Sequence, residues 1–216
     1  GLADLHTFCQ HAERQIDQIR RRAIQGETIP HAEKVFSLFQ PHTEWISKGK
    51  AGVPVELGLR VCIMEDSHGF ILHSQVMQNT TDDKVAVPMV AATKAQFPGF
   101  NACSFDKGFH SPDNQKELKS HLDHVVLPKK GKLSKADQER EYAPEFMHAK
   151  KQHSAVESAI NALEVHGLDK CPDHGIDAFE RYVALAVLSR NIQKLGTIKR
   201  DAERQRLLLE KQKLAA

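Results

Sequence analysis

Apolar residues recur at Leu5, Phe8, Ala12, Ile16, Ile19 and Ala23, three or four positions apart, which lays them along one face of a helix over residues 2–25. Gly26 ends it after Arg20, Arg21 and Arg22, and cations in a last turn suit the negative end of the helix dipole. The period then falls to two. Residues 34–39 alternate and predict a strand, and the turn-dense basic link PHTEWISKGKAGVP follows. Val55, Leu57, Leu59, Val61 and Ile63 share one face of a longer strand, SHGF makes a turn, and residues 70–77 run back as the second arm of a hairpin.

Helical spacing returns at residues 84–96, with Val85, Met89, Val90 and Ala92, after NTTDD, in which Asp82 and Asp83 read as caps. Pro98 and Gly99 close that helix. NACSF, residues 101–105, predicts a short buried strand that delivers Asp106 at its end. Ser111 followed by Pro112 forms a strong helix start, and HVVLPKKGK reads as a buried strand leaving into a basic loop. From Ser134 the chain is helical. Val156, Ile160 and Leu163 share one apolar face, and Ile176, Phe179, Val183, Ala186 and Ile192 another, in a helix over 176–195. A hairpin followed by strand–helix alternation predicts an α/β fold with a mixed sheet covered by helices.

Composition changes this picture little. At 216 residues, 40% hydrophobic and 27% charged, the chain is long enough to bury a core without staples, and no apolar run approaches a membrane span. Cys9, Cys62, Cys103 and Cys171 are dispersed and form no CxxC pair, which points to free thiols in a reducing cytoplasm. The net charge of +2 is averaged over an uneven distribution: residues 190–216 hold eight Lys/Arg against three Asp/Glu, a local +5. That tail reads as a DNA-contacting helix or as a frayed terminus.

Asp106 and Glu157 carry the candidate chemistry. An acid at the carboxyl end of a buried strand lies where open α/β sheets build ligand sites, though a loop Asp also caps turns. Glu157 shares a helix with Val156 and Ile160; a lone Glu there is either solvated or at the edge of the buried face. Together, 51 positions apart, a strand-end Asp and a helix Glu can meet at a Mg²⁺ site that clamps a phosphoryl transfer. His166, Cys171 and His174 lack the paired spacing of structural zinc and a fourth ligand. Asp66, within MEDSHGF, belongs to the hairpin turn.

VFSLFQPHTEWISKGKAGVPVELGLRV, NTTDDKVAVPMV, FDKGFHS and HSAVESAINALEVHGLDKCPDHG, in this order, closely resemble the DDE transposases of bacterial insertion sequences, nearest to the ISNCY group. The resemblance runs from about Ile29 to Leu195. It implies an RNase H-like catalytic core over residues 29–195, between an N-terminal helix (1–28) and a basic C-terminal tail (196–216). It also implies Mg²⁺ or Mn²⁺ held by Asp106, within Asp106-Lys107-Gly108-Phe109, and by Glu157, and DNA as partner, with a homodimer on DNA. Under this reading Lys48, Lys50, Lys107, Lys129, Lys130, Lys132 and His153 become candidate DNA contacts; each basic loop also reads as an ordinary solvated one.

Two positions depart from the family pattern. An Arg often stands four residues before the Glu and a Lys seven after it; here those places hold His153 and Glu164. No Asp fits the family's first acid on the first sheet strand, which places it in sequence outside this chain. The rival readings are a nuclease on the same sheet and a catalytically dead remnant that only binds DNA or only folds.

Overall fold

The computed structural model describes residues 1–47, 54–168 and 170–215, without the side chains of 152, 154–158, 166, 214 and 215. The fold is mixed α/β and mostly helical. It divides into two units, one of residues 1–60 and 174–178, the other of 61–173 and 179–216. Among the described residues no helix is long and apolar enough to cross a membrane.

In the first unit, α1 (Leu2–Ile19) continues through a π-helical turn, Arg20–Ile24, and buries none of its residues. Arg21 is fully engaged, its guanidinium 2.8 Å from both Glu27 and Glu33, so the middle of the basic run is structural. The strand predicted for 34–39 does not form. Its polar backbone is taken up by side chains of α1 instead: Val35 N–H donates to Gln18 Oε1 at 3.2 Å, and the Leu38 carbonyl lies 3.4 Å from His11 Nδ1. Phe36 packs on Trp45 with ring centroids 5.9 Å apart. Trp45 itself belongs to a strand that alternation had not predicted, β1 (Glu44–Ser47), antiparallel to β2 (Val55–Gly58) with Trp45 opposite Leu57.

The long strand read over 55–63 is therefore two. It breaks at Leu59, and β3 (Arg60–Glu65) pairs with β4 (Ile71–Met77) instead. The break shifts the phase: Cys62 and Met64 are buried, while Val61 and Ile63 are half-buried. Asp66 organises the hairpin turn as expected, its Oδ1 accepting from His68 N–H at 2.9 Å and Phe70 N–H at 2.8 Å.

The second unit holds the main core. In α2 (Asp82–Gln96), Val85, Ala86, Met89, Val90 and Thr93 form the inward face, and the buried Thr93 hydroxyl donates to the Met89 carbonyl at 2.8 Å. Asp82 and Asp83 lie in the first turn of this helix, beyond the N-cap Thr81, and act through the dipole rather than as caps. β5 (Ala102–Ser104) and β6 (His124–Val126) pair in parallel, joined through α3 (Pro112–His121). The α3 start is the one predicted, with Ser111 Oγ accepting from Asn114 N–H at 3.1 Å. Leu118 and Met89 are almost wholly shielded, each contributing about 1.5–3 kcal/mol.

The described strands form three two-stranded ladders. Three helices complete the unit: α4 (Lys135–Glu141), α5 (Pro144–Leu163), which packs over β5 and β6, and α6 (Ile176–Ala215). The last runs through Gly196 without interruption, so the basic tail is helical. Of the predicted face, Val183 is buried and Ile176, Phe179 and Ala186 are half-buried, but Ile192 departs from it. Asn191 exchanges two 2.9 Å hydrogen bonds with the backbone of Ile71, which turns Ile192 outward, 61% exposed.

Candidate active site

β5 ends on Ser104, and buried Phe105 carries the ladder one step further by donating its N–H to the Val126 carbonyl at 2.9 Å. Phe105 thus pins the chain and leaves Asp106 exposed beside it. Asp106 Oδ1 accepts from Lys107 N–H at 2.7 Å, capping a single 3-10 turn, Lys107–Phe109. One oxygen of the carboxylate is used by the cap; among the described residues the other has no hydrogen-bond donor. Phe109 returns to the core, its ring 5.8 Å from that of Phe105.

Two neighbours hold this turn. A Cβ on Gly108 would lie 2.6 Å from Asp82 Oδ2, so any side chain here must push Asp82 aside where the turn passes the start of α2. Gly108→Ala is expected to lower the unfolding free energy by about 1 kcal/mol, since the short Asp82 side chain must rotate away; urea denaturation reads this directly. Asn114 is buried and donates through Nδ2 to the carbonyls of Phe109, at 2.8 Å, and Asp83, at 2.5 Å. Asp82 was read from the sequence only as a cap, and Asn114 was not singled out at all. For Asn114 a signal existed, because it stands four residues before Leu118 on the buried face of α3.

α5 reaches the same place. His153 Nδ1 and Ser104 Oγ share a 3.0 Å hydrogen bond, two residues before Asp106. Position 157 follows one helical turn later, about 6 Å along the axis and on the same face; the Glu157 side chain lies outside the described residues. Among the described residues no group of three His, Cys, Asp or Glu could hold a metal ion.

A cleft of about 700 Å³ opens beside these elements, walled by Met64, Met89, Phe105 and Phe109, with Ala149 and His153 of α5 on one side. Cys62 and Cys103 face it too, and burial pushes both thiols up to about 12, so they are inert neutral groups at neutral pH. All four cysteines are free thiols.

The candidate DNA contacts are unequally placed. Lys107, Lys130 and Lys132 are exposed. The Lys129 ammonium instead pairs with Asp137, while its backbone N–H donates to buried Glu141 at 2.7 Å. Asp137 is held well below the usual carboxylate range by Lys129 and by Ser134. The Lys129 charge is thus tied to the α4 cap. Lys48 and Lys50 lie outside the described residues.

The family described as Transposase DDE domain matches residues 18–192. The chain belongs to the DDE transposases. No curated protein and no solved structure matches it. Membership gives this transposase a place in DNA transposition and mobile elements, and the matched span includes Asp106, His153 and Glu157.

Proposed function

We propose that this DDE transposase binds the ends of an insertion sequence, cleaves DNA strands there and joins the freed 3′-hydroxyl to a target phosphodiester. The supporting observation is the Ser104–His153 hydrogen bond, which draws the Glu157 helix onto the strand that leads to Asp106. An RNase H-like arrangement of the catalytic core accords with the parallel β5–α3–β6 unit that carries this strand.

Asp106 suits a hard divalent cation: it is exposed, and one carboxylate oxygen remains without a donor among the described residues. Asp106 and Glu157 would hold Mg²⁺ or Mn²⁺. When bound, the metal supplies charge neutralisation on the non-bridging and leaving oxygens of the phosphodiester. The chain's own part is positional. The Lys107 N–H fixes the Asp106 carboxylate, and Ser104 fixes the ring of His153. Lys107, Lys130 and Lys132 offer exposed cations to the DNA backbone, with Lys48 and Lys50 as further candidates. Pairing two element ends calls for a homodimer on DNA.

The test is a joining assay with the protein including the sequence that carries the first acid, using pre-cleaved duplex ends, a plasmid target and Mg²⁺. Joined products are expected, and none with EDTA. Hydrolysis without joining would replace transposition by nuclease activity; DNA binding without either reaction would make the chain a catalytically dead DNA-binding remnant.

A further inference from the structure

Cations that serve the fold of this protein are visibly committed to carboxylates. Arg21 divides its guanidinium between Glu27 and Glu33, Lys129 sits on Asp137, and Arg140 reaches Glu141 at 3.2 Å. Arg190 and Lys194 behave differently. They stand one turn apart on α6, both line the cleft, and neither has an ion-pair partner among the described residues. Arg190 Nε is shielded from solvent with no acceptor. Lys194 reaches over Gly69, whose missing side chain makes room: a Cβ there would lie 2.9 Å from Nζ.

Glu65, at the end of β3, faces the same two cations across the cleft mouth. It does not lock onto either, and its Oε2 is buried without a donor. Burial raises the Glu65 carboxyl, and Arg190 and Lys194 pull it back down. One unsatisfied donor, Arg190 Nε, and one unsatisfied acceptor, Glu65 Oε2, therefore line one cleft beside the Lys194 ammonium. Such groups are costly to leave unmatched in a site partly screened from water.

We propose that Arg190 and Lys194 form an anion site that takes a phosphodiester group of a DNA strand entering the cleft, displacing Glu65 as their counter-charge. The DNA assignment rests on the transposase reading above. The donor set fits phosphate: a guanidinium fork beside a point-charge ammonium, separated by one helical turn, can grip two non-bridging oxygens. Each uncommitted cation also adds to counterion release when DNA binds.

The test measures binding of the full chain to a fluorescent duplex across a salt series. A parallel arm records the melting temperature in rising inorganic phosphate. Arg190→Gln and Lys194→Gln are each expected to weaken DNA binding about tenfold and to reduce the salt slope by about one. Glu65→Gln is expected to tighten binding several-fold, a direction that misfolding cannot produce. Lys116→Gln, on exposed α3 outside the cleft, should leave affinity within about twofold; an equal loss there would reduce the effect to bulk charge and overturn the site. If the unaltered chain fails to bind DNA, yet phosphate still raises its melting temperature and both cleft variants abolish this, the anion site stands and the proposed DNA-binding function of this chain falls. DNA and phosphate binding that ignore both substitutions overturn the proposal.

Discussion

Asp106→Asn is expected to reduce strand cleavage and joining by more than about 100-fold while DNA affinity stays within about twofold of the unaltered chain. The substitution isolates chemistry from folding because of how the residue is held. An amide oxygen at the same position can still accept the 2.7 Å bond from Lys107 N–H, so the turn over residues 107–109 keeps its cap. What disappears is the negative charge, and with it the hard anionic donor a divalent cation requires. Glu157→Gln should give the same separation of cleavage from binding. Both are read by gel assay of labelled duplex beside fluorescence anisotropy. Retained cleavage in either variant would remove that residue from the metal site.

Local signals in the sequence led to Asp106 because every step there is short-range. A strand, a D-K-G-F turn and a Ser-Pro helix start lie within residues 101–112, and each rule concerns neighbours only a few positions apart. The Asp66 turn was legible for the same reason. Failures came where a partner distant in sequence decided the outcome. Residues 34–39 alternate like a strand, but Gln18 and His11 of α1 occupy their backbone groups. The buried phase of β3 depended on a break at Leu59 that alternation passes over. Ile192 fits the apolar spacing of its helix, yet the Asn191 clamp on Ile71 sets the rotation of α6. Lys129 lies in a run without acids, but Asp137 folds back from the next helix to hold it.

The same distinction explains why the residues that hold the site were harder to find than those that would do the chemistry. Ser104 and His153 are 49 positions apart, and nothing in either segment announces the bond between them. Arg190 and Lys194 look like the start of a basic tail until the hairpin turn with Gly69 is set beside them. Charge counting places cations on a segment; only the fold separates those already neutralised from those left for a ligand.

Asn114→Ala should lower the unfolding free energy by about 2–4 kcal/mol, because two carbonyls, those of Asp83 and Phe109, lose their side-chain donor in a buried setting. Each carbonyl belongs to a different element: one opens α2, the other ends the turn that follows Asp106. Asn114 is thus a positioning residue joining three pieces of chain around the candidate site, and the Ser111 cap on its own N–H holds it in place. Asn114→Asp tests this reading of the contacts, since a carboxylate keeps the size but offers no donor and sets a negative charge against two carbonyl oxygens. It should destabilise at least as much as the alanine at neutral pH and partly recover at acid pH, when the protonated carboxyl can donate again. Urea denaturation of the three proteins at two pH values measures both effects. Equal stability of the unaltered chain and Asn114→Ala would show that the two carbonyl bonds do not hold this turn.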